Sequence, residues 1–505
     1  MSRIDRSSGI LLHPTSLPGP RGMGEVGEIA RRFVDRLEMS DQSWWQILPL
    51  NPPGYGGSPY SSDSAFAGNP YLIDLSGLVE RGWLDAATVE NLESEFSDVP
   101  GDHYDIGPVN ESRRQVLHRA HENWVELGCP DGSDFEAFCD EHAYWLDDYA
   151  LYEALKEEHD GAEWREWPPE LVAREPEAIE AAEERLASTV SRIKFYQWVF
   201  GRQWQSLKDY ANDSGVGLIG DAPIFVAMDS ADVWAHRDLF QVDASGEPSV
   251  VAGVPPDYFS ETGQKWGNPL YDWERAKETG YQWWMQRLER LLETVDLVRI
   301  DHFRGFDAYW EVPADAPTAE TGHWVDGPGD DFFDEVADQF GELPFIAEDL
   351  GEITESVYEL RDRHDLPGMK VVQFGFDGDP DHPFLPDNFP ENCVAYTGTH
   401  DNDTTRGWYR KADEMTRHNA REYLSSDGEE IVWAMIEAIM ESKARLAVFP
   451  AQDVLGLGSD ARMNTPGTDT DNWSWRMTRD QIGDAGWDRL RRLTRETGRA
   501  DGGTI

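Results

Sequence analysis

Eight short, largely apolar runs recur along the chain, at residues 10–12, 45–50, 217–219, 297–300, 345–347, 370–374, 394–396 and 446–449. Runs this short, with no room for a helical repeat, read as buried strands. Most are followed by Gly, Pro, Asn or Asp, which punctuate loops. From the fourth run onward the spacing is 25–50 residues, and the stretches between, such as 354–363 and 429–445, carry apolar positions at helical period. Strands alternating with amphipathic helices make a parallel sheet of the α/β class. Eight such units predict a closed (β/α)8 TIM barrel; an open sheet with extra strands is the alternative.

Two gaps break the rhythm. About 165 residues separate the second run from the third, too many for one crossover, and 85–190 is rich in Glu, Ala, Leu and Trp at helical spacing. The expectation is a mostly helical inserted subdomain between strands 2 and 3. A second insertion, 222–296, holds Pro255-Pro256-Asp257-Tyr258-Phe259 and Gly267-Asn268-Pro269-Leu270-Tyr271. It reads as an ordered loop or subdomain over the barrel mouth. The whole of 1–505 is then a single catalytic barrel, its last residues, 499–505, fraying.

Three of the runs end in acids. Asp301 closes Leu297-Val298-Arg299-Ile300-Asp301, Glu348 follows Pro344-Phe345-Ile346-Ala347, and Asp401 lies beyond Val394-Ala395-Tyr396-Thr397 in Gly398-Thr399-His400-Asp401. A barrel keeps its chemistry at the C-terminal ends of its strands, and two carboxylates there suffice to cleave a glycosidic bond. Arg299 and Asp301 share a strand face, and a guanidinium beside a carboxylate favours the ionised form that a nucleophile needs; a structural salt bridge is the competing reading. Either Glu348 or Asp349 suits a general acid, with helix capping left for the other. Thr399-His400-Asp401-Asn402-Asp403 suits sugar hydroxyls, a helix cap near Thr404 or a divalent ion. No second His-rich cluster accompanies it, so no metal is expected. Asp221 is a further strand-end acid, and Asp453 reads as a cap.

Composition narrows the partners. Ninety-seven acidic against 44 basic residues leave a net charge of −53. Nucleic acid needs a basic patch, an anionic membrane surface repels such a chain, and a neutral ligand is unaffected. The excess acid and scarce Lys also resemble halophilic proteins, in which molar salt screens self-repulsion. Three cysteines, Cys129, Cys139 and Cys393, form no CxxC and no disulfide framework. The N-terminus shows no apolar h-region, and no stretch approaches a membrane span. A cytoplasmic protein is expected. The 21 Trp and 17 Tyr are mostly core material, but Tyr60, in the rigid turn Asn51-Pro52-Pro53-Gly54-Tyr55-Gly56-Gly57-Ser58-Pro59-Tyr60, and Trp266 lie in loops where a sugar face would stack.

At these residues the chain resembles glycoside hydrolase family 77, the 4-alpha-glucanotransferases or amylomaltases, related to the alpha-amylases. The matching segments are SGILLHPTSLPG, NPPGYGGSPYSS, GDAPIFVAMDSADVW, GVPPDYFSETGQKWGNPLYDW, VRIDHFRGF, IAEDLGEIT, GMKVVQF, YTGTHDNDTTRGW and MNTPGTDTDNWSWR. The 85–190 insertion carries little of the likeness. The resemblance implies Asp301 as nucleophile, Glu348 rather than Asp349 as acid/base, and Asp401 as transition-state stabiliser. It also implies that Arg299 and His400 hold the reacting sugar, with Tyr60, Asp221, Trp266, His302 and Asn464 completing the cleft, and that no cofactor is used. Gly57 and Ser61 depart from it, since relatives often carry Asp and Gln there. The implied reaction moves a segment of an α-1,4-glucan, such as a maltooligosaccharide, to the 4-hydroxyl of another. An amylase-type hydrolase and a non-catalytic glucan-binding barrel are the rivals.

Overall fold

The structure, a computed structural model, describes residues 4–97, 101–256, 260–341, 343–468 and 470–500. Its strands in chain order are β1 (Ser7–Leu11), β2 (Trp44–Gln46), β3 (Gly217–Pro223), β4 (Val250–Val254), β5 (Gln264–Pro269) and β6 (Leu297–Asp301). There follow β7 (Ala308–Pro313), β8 (His323–Asp326), β9 (Phe345–Ala347), β10 (Gly368–Val371), β11 (Cys393–Tyr396) and β12 (Leu446–Pro450). Eight of them close a barrel in the order β1-β12-β11-β10-β9-β6-β3-β2, and every pair is parallel. Each predicted run falls on one barrel strand, and the fold is the expected (β/α)8 barrel. The 45–50 run overshoots: pairing with β1 ends at Gln46, and the chain turns away through Pro49, which has no N–H to donate.

Burial explains the pattern. β1 and β12 are buried at every residue, as a strand between barrel interior and helical layer must be. Helix Glu28–Met39 buries Ala30, Phe33, Val34 and Leu37, an i, i+3, i+4, i+7 stripe. Phe33 sets its ring edge-on to Trp45 and Trp487, with centroids 5.0 and 6.0 Å apart. Helices Glu355–Arg363 and Ile431–Glu441 occupy the two predicted amphipathic stretches.

Between β2 and β3 the chain is helical, with Ala86–Glu95, Ile106–Glu126, Gly132–Glu141, Ala143–Glu158 and Pro176–Asp213 as its longer elements. Trp83, Trp124, Phe195 and Trp198 gather there at centroid distances of 5.0–5.9 Å. Pro176–Asp213 has 38 residues, about 57 Å of helix. It packs in this layer through Phe195 and Trp198. Farther along it reaches the barrel, where the Trp204 indole N–H donates to the Thr294 carbonyl.

The other long connections hold a feature the apolar pattern does not reveal. β4 and β5 come from the β3–β6 connection, β7 and β8 from the β6–β9 connection. Together they form one antiparallel sheet, β5-β4-β7-β8. Positions 257–259 of the Pro255–Phe259 motif lie outside the described residues. The C-terminus also differs from expectation. Arg499 is fully buried and donates to the carbonyls of Ser7, Ile439, Met440, Ser442 and Arg445, tying the chain end across β1 and β12. The expected fraying does not reach it, and 501–505 lie outside the described residues.

Candidate active site

The C-terminal ends of β3, β6, β9 and β11 converge on one mouth. In the β6–β9 register Ile300 faces Ala347, so the next residues out, Asp301 and Glu348, leave adjacent strands side by side. Neighbouring strands run about 4.8 Å apart. The backbone then turns sharply. His302 is left-handed (φ 52°), a conformation that non-glycine residues hold mostly where surroundings enforce it. That turn aims the His302 N–H at Glu348 Oε2 (2.8 Å), while the Leu350 N–H donates to Oε1 (3.0 Å). Burial, reinforced by the negative charge of Asp301 and opposed by Arg299, pushes the Glu348 carboxyl up to about 8. It is therefore an acid at neutral pH.

Asp349 faces the other way. It is buried, accepts from the Met369 N–H (2.6 Å) and pairs with Arg361. Asp453 is likewise structural: it accepts from Thr397 Oγ1, Thr405 Oγ1 and the Thr405 N–H at 2.6–2.8 Å, capping the helix Thr405–Lys411.

Arg299 clamps the nucleophile candidate. Its Nη1 donates to both oxygens of Asp221 (2.8 and 2.7 Å) and its Nη2 to Asp301 Oδ1 (2.8 Å). β3–β6 pairing sets Asp221 directly opposite Arg299. Burial, offset by Arg299 and assisted by Asp301, raises the Asp221 carboxyl to about 6. Tyr60 Oη also donates to Asp221 (2.8 Å). The Asp221 side chain is wholly inaccessible, so Arg299→Met is expected to destabilise the fold by about 3–5 kcal/mol, the cost of an unpaired buried charge. Denaturant midpoints at pH 7 test this, and an unchanged midpoint would mean that Asp221 needs no counter-charge.

Across the mouth, Asp401 Oδ1 accepts from Asn464 Nδ2 (2.6 Å), and Oδ2 lies 3.4 Å from His400 Nε2. Nearly half of the Asp401 side chain stays open (44%), leaving acceptor capacity for a ligand. Tyr60 stacks on His400 with centroids 5.1 Å apart. The turn that delivers Tyr60 depends on glycine: Gly56 and Gly57 have φ of 65° and 73°, and a Cβ at Gly54 would lie 1.6 Å from the Ser61 carbonyl oxygen. On another side Trp266, 39% exposed, meets His302 edge-on at 4.9 Å, backed by Phe225. Burial drops the His302 imidazole to about 4, so it is neutral in the working range.

The structure thus brings Tyr60, Asp221, Trp266, Arg299, Asp301, His302, Glu348, His400, Asp401 and Asn464 into one connected group. It adds residues that sequence reasoning passed over. Trp473, buried and left-handed (φ 63°), leans on both Tyr60 and His400 at 5.8 and 6.0 Å. Arg462 reaches into the Asp401 loop. Trp473 lies within MNTPGTDTDNWSWR and Arg462 one residue before it, and that adjacency was the available signal. Chemically, the mouth offers an ion-paired carboxylate beside a protonated one, and a third, half-open carboxylate opposite. That set suits acid-assisted displacement at an acetal carbon.

Comparison with known proteins agrees. The family model described as 4-alpha-glucanotransferase matches residues 12–481. The 4-alpha-glucanotransferase of Thermus thermophilus is 50% identical over 505 residues, covering 98% of this chain and 99% of its own. That of a Synechocystis species is 48% identical over 486 residues, covering 95% of each. The solved amylomaltase of Streptococcus agalactiae, in complex with acarbose, superposes with a TM-score of 0.93 at 36% identity, covering 98% of this chain and 99% of that one. A family match over nearly the whole chain, joined to this mouth of carboxylates on a (β/α)8 barrel, means that the chain belongs to the 4-alpha-glucanotransferase family, glycoside hydrolase family 77.

Proposed function

We propose that the barrel mouth moves segments of α-1,4-glucans between chains by a retaining double displacement. Glu348 protonates the glycosidic oxygen while Asp301 attacks C1, and the reducing-end fragment leaves. The resulting β-glucosyl ester on Asp301 is then attacked by the 4-hydroxyl of an acceptor glucan, whose proton passes to Glu348. Two inversions give net retention. Asp401 hydrogen-bonds ring hydroxyls as the sugar flattens toward an oxocarbenium ion, with His400 and Arg299 beside it. One observation carries this reading: Asp301 and Glu348 leave adjacent strands in register, which supports the roughly 5–5.5 Å carboxyl separation of retaining enzymes, and burial pushes Glu348 toward its acid form.

The other assignments rest on the same group. Trp266 and Tyr60 offer apolar faces to sugar rings. We read the chain as one catalytic barrel carrying a helical insertion near 85–190. We read 222–296 as an insertion over the mouth, supported by the contact between Trp266 of β5 and His302. Acarbose, bound by the Streptococcus agalactiae relative, is expected to bind at the same mouth here and so to compete with glucan. No helix among the described residues is long and apolar enough to cross a membrane, and three free cysteines support a reducing, cytoplasmic setting. The net charge of −53 supports adaptation to high salt.

Incubation with maltotriose at several KCl concentrations tests chemistry and salt response together. Transfer yields glucose and longer oligosaccharides at constant reducing ends, whereas hydrolysis raises reducing ends. Both activity and unfolding midpoint are expected to rise from low salt to about 1 M KCl, where the Debye length shrinks to about 3 Å. Rising reducing ends would favour an amylase-type hydrolase. A midpoint indifferent to salt would remove the halophilic reading and leave the transferase one standing.

A further inference from the structure

Of the three acids Asp401 lies farthest from its strand, five residues past the end of β11 at Tyr396, yet its carboxylate must hold position to better than an ångström. Arg462 supplies the fixing point. Its Nη2–H donates to the Asp401 carbonyl (2.5 Å) and its Nε–H to the Asn464 carbonyl (2.6 Å). Asn464 completes the ring: its side chain donates to Asp401 Oδ1 (2.6 Å), and its backbone N–H donates to the His400 carbonyl (3.1 Å). The base of this grip is itself anchored. The Arg462 N–H closes the turn Ser459–Ala461, and the Trp473 N–H donates to the Met463 carbonyl (2.7 Å).

The grip leaves the carboxylate free. Among the described residues Arg462 pairs with no carboxylate, whereas the neighbouring Asp403 is neutralised by Lys411 at 2.7 Å. A guanidinium on the backbone carbonyls therefore orients Asp401 and adds positive charge nearby without occupying its Oδ atoms. Lysine would hold the two carbonyls less rigidly, because its donors radiate from one point on a flexible stem and lack the fixed planar fork of a guanidinium.

We propose that Arg462 is a positioning residue for Asp401, holding the Asp401–Asn464–His400 group in the geometry that meets the flattened sugar of the transition state. This rests on the role proposed for Asp401. Because that contact strengthens only as the sugar distorts, losing Arg462 acts on kcat rather than on ground-state binding.

The test measures maltotriose disproportionation and acarbose inhibition for R462A and R462K in the full-length enzyme, with D401N as reference. R462A is expected to lower kcat by about 10- to 100-fold, the equivalent of a charge-assisted hydrogen bond. KM should stay within about threefold, and acarbose inhibition should weaken alongside kcat. R462K is expected between R462A and wild type, with kcat more than about threefold below wild type. A kcat within about threefold of wild type in either variant, or a loss confined to KM, overturns the proposal. If R462A does not fold, R462K at an unchanged unfolding midpoint decides by the same criterion. If D401N retains full activity, the role of Asp401 fails first. If D401N is inactive while R462A and R462K turn over normally, only the inference about Arg462 falls.

Discussion

Replacing Asp301 with Asn is expected to stop transfer, with kcat on maltotriose falling by about four orders of magnitude or more, as befits loss of a nucleophile. The fold should survive, because the Asp301 side chain is 30% exposed and Arg299 keeps both oxygens of Asp221. Stereochemistry makes the test specific. In Asp301→Gly, azide can enter the space the carboxylate left and displace fluoride from α-maltosyl fluoride, giving the β-azide. Fluoride departs without acid help, so Glu348 is not needed for this step. An α-azide from this variant, or undiminished turnover of Asp301→Asn, would show that Asp301 does not attack the sugar.

Glu348→Gln is expected to lower kcat on maltotriose by about 10²- to 10⁴-fold, the usual weight of general acid–base catalysis. Its first step on α-maltosyl fluoride should be affected far less, since that leaving group needs no proton. In the wild type, burial and the charge of Asp301 hold the Glu348 carboxyl near 8. The acid form is therefore populated below that pH and lost above it, and kcat/KM on maltotriose should fall as pH rises through about 8. With the fluoride donor and azide as acceptor, neither acid nor base is required, and that alkaline limb should vanish. A limb that persists with this donor–acceptor pair in Glu348→Gln would assign it to another group.

Much of this fold is legible in residue order. Every barrel strand is a short apolar run because a strand enclosed on both faces buries nearly all its side chains, a local property that needs no partner to be seen. The acids at 301, 348 and 401 stand out for the same reason: each is a polar residue placed just where burial ends. The β5-β4-β7-β8 sheet was not legible. Its faces are only partly buried, so β7 and β8 lack a continuous apolar run. Its pairings also join two separate connections, with Val250 meeting Pro313 across the intervening β6. Loop-closure entropy opposes such pairing, and local pattern carries no record of which distant strand overcomes it.

The site divides along the same line. Residue order alone determined the α/β barrel class, the number of barrel strands and the level of the barrel at which carboxylates would gather. It left Glu348 only slightly ahead of Asp349 until family resemblance separated them, and only the tertiary structure gives the physical reason. A left-handed His302 presents its N–H to Glu348, while Arg361 and the Met369 N–H draw Asp349 into the wall. Likewise Arg462 is one more arginine in sequence, and becomes a clamp on Asp401 only because a loop 61 residues away folds back against it. A side chain's direction at a strand exit depends on one backbone torsion and on hydrogen-bond partners distant in the chain, and those are set only when the barrel closes.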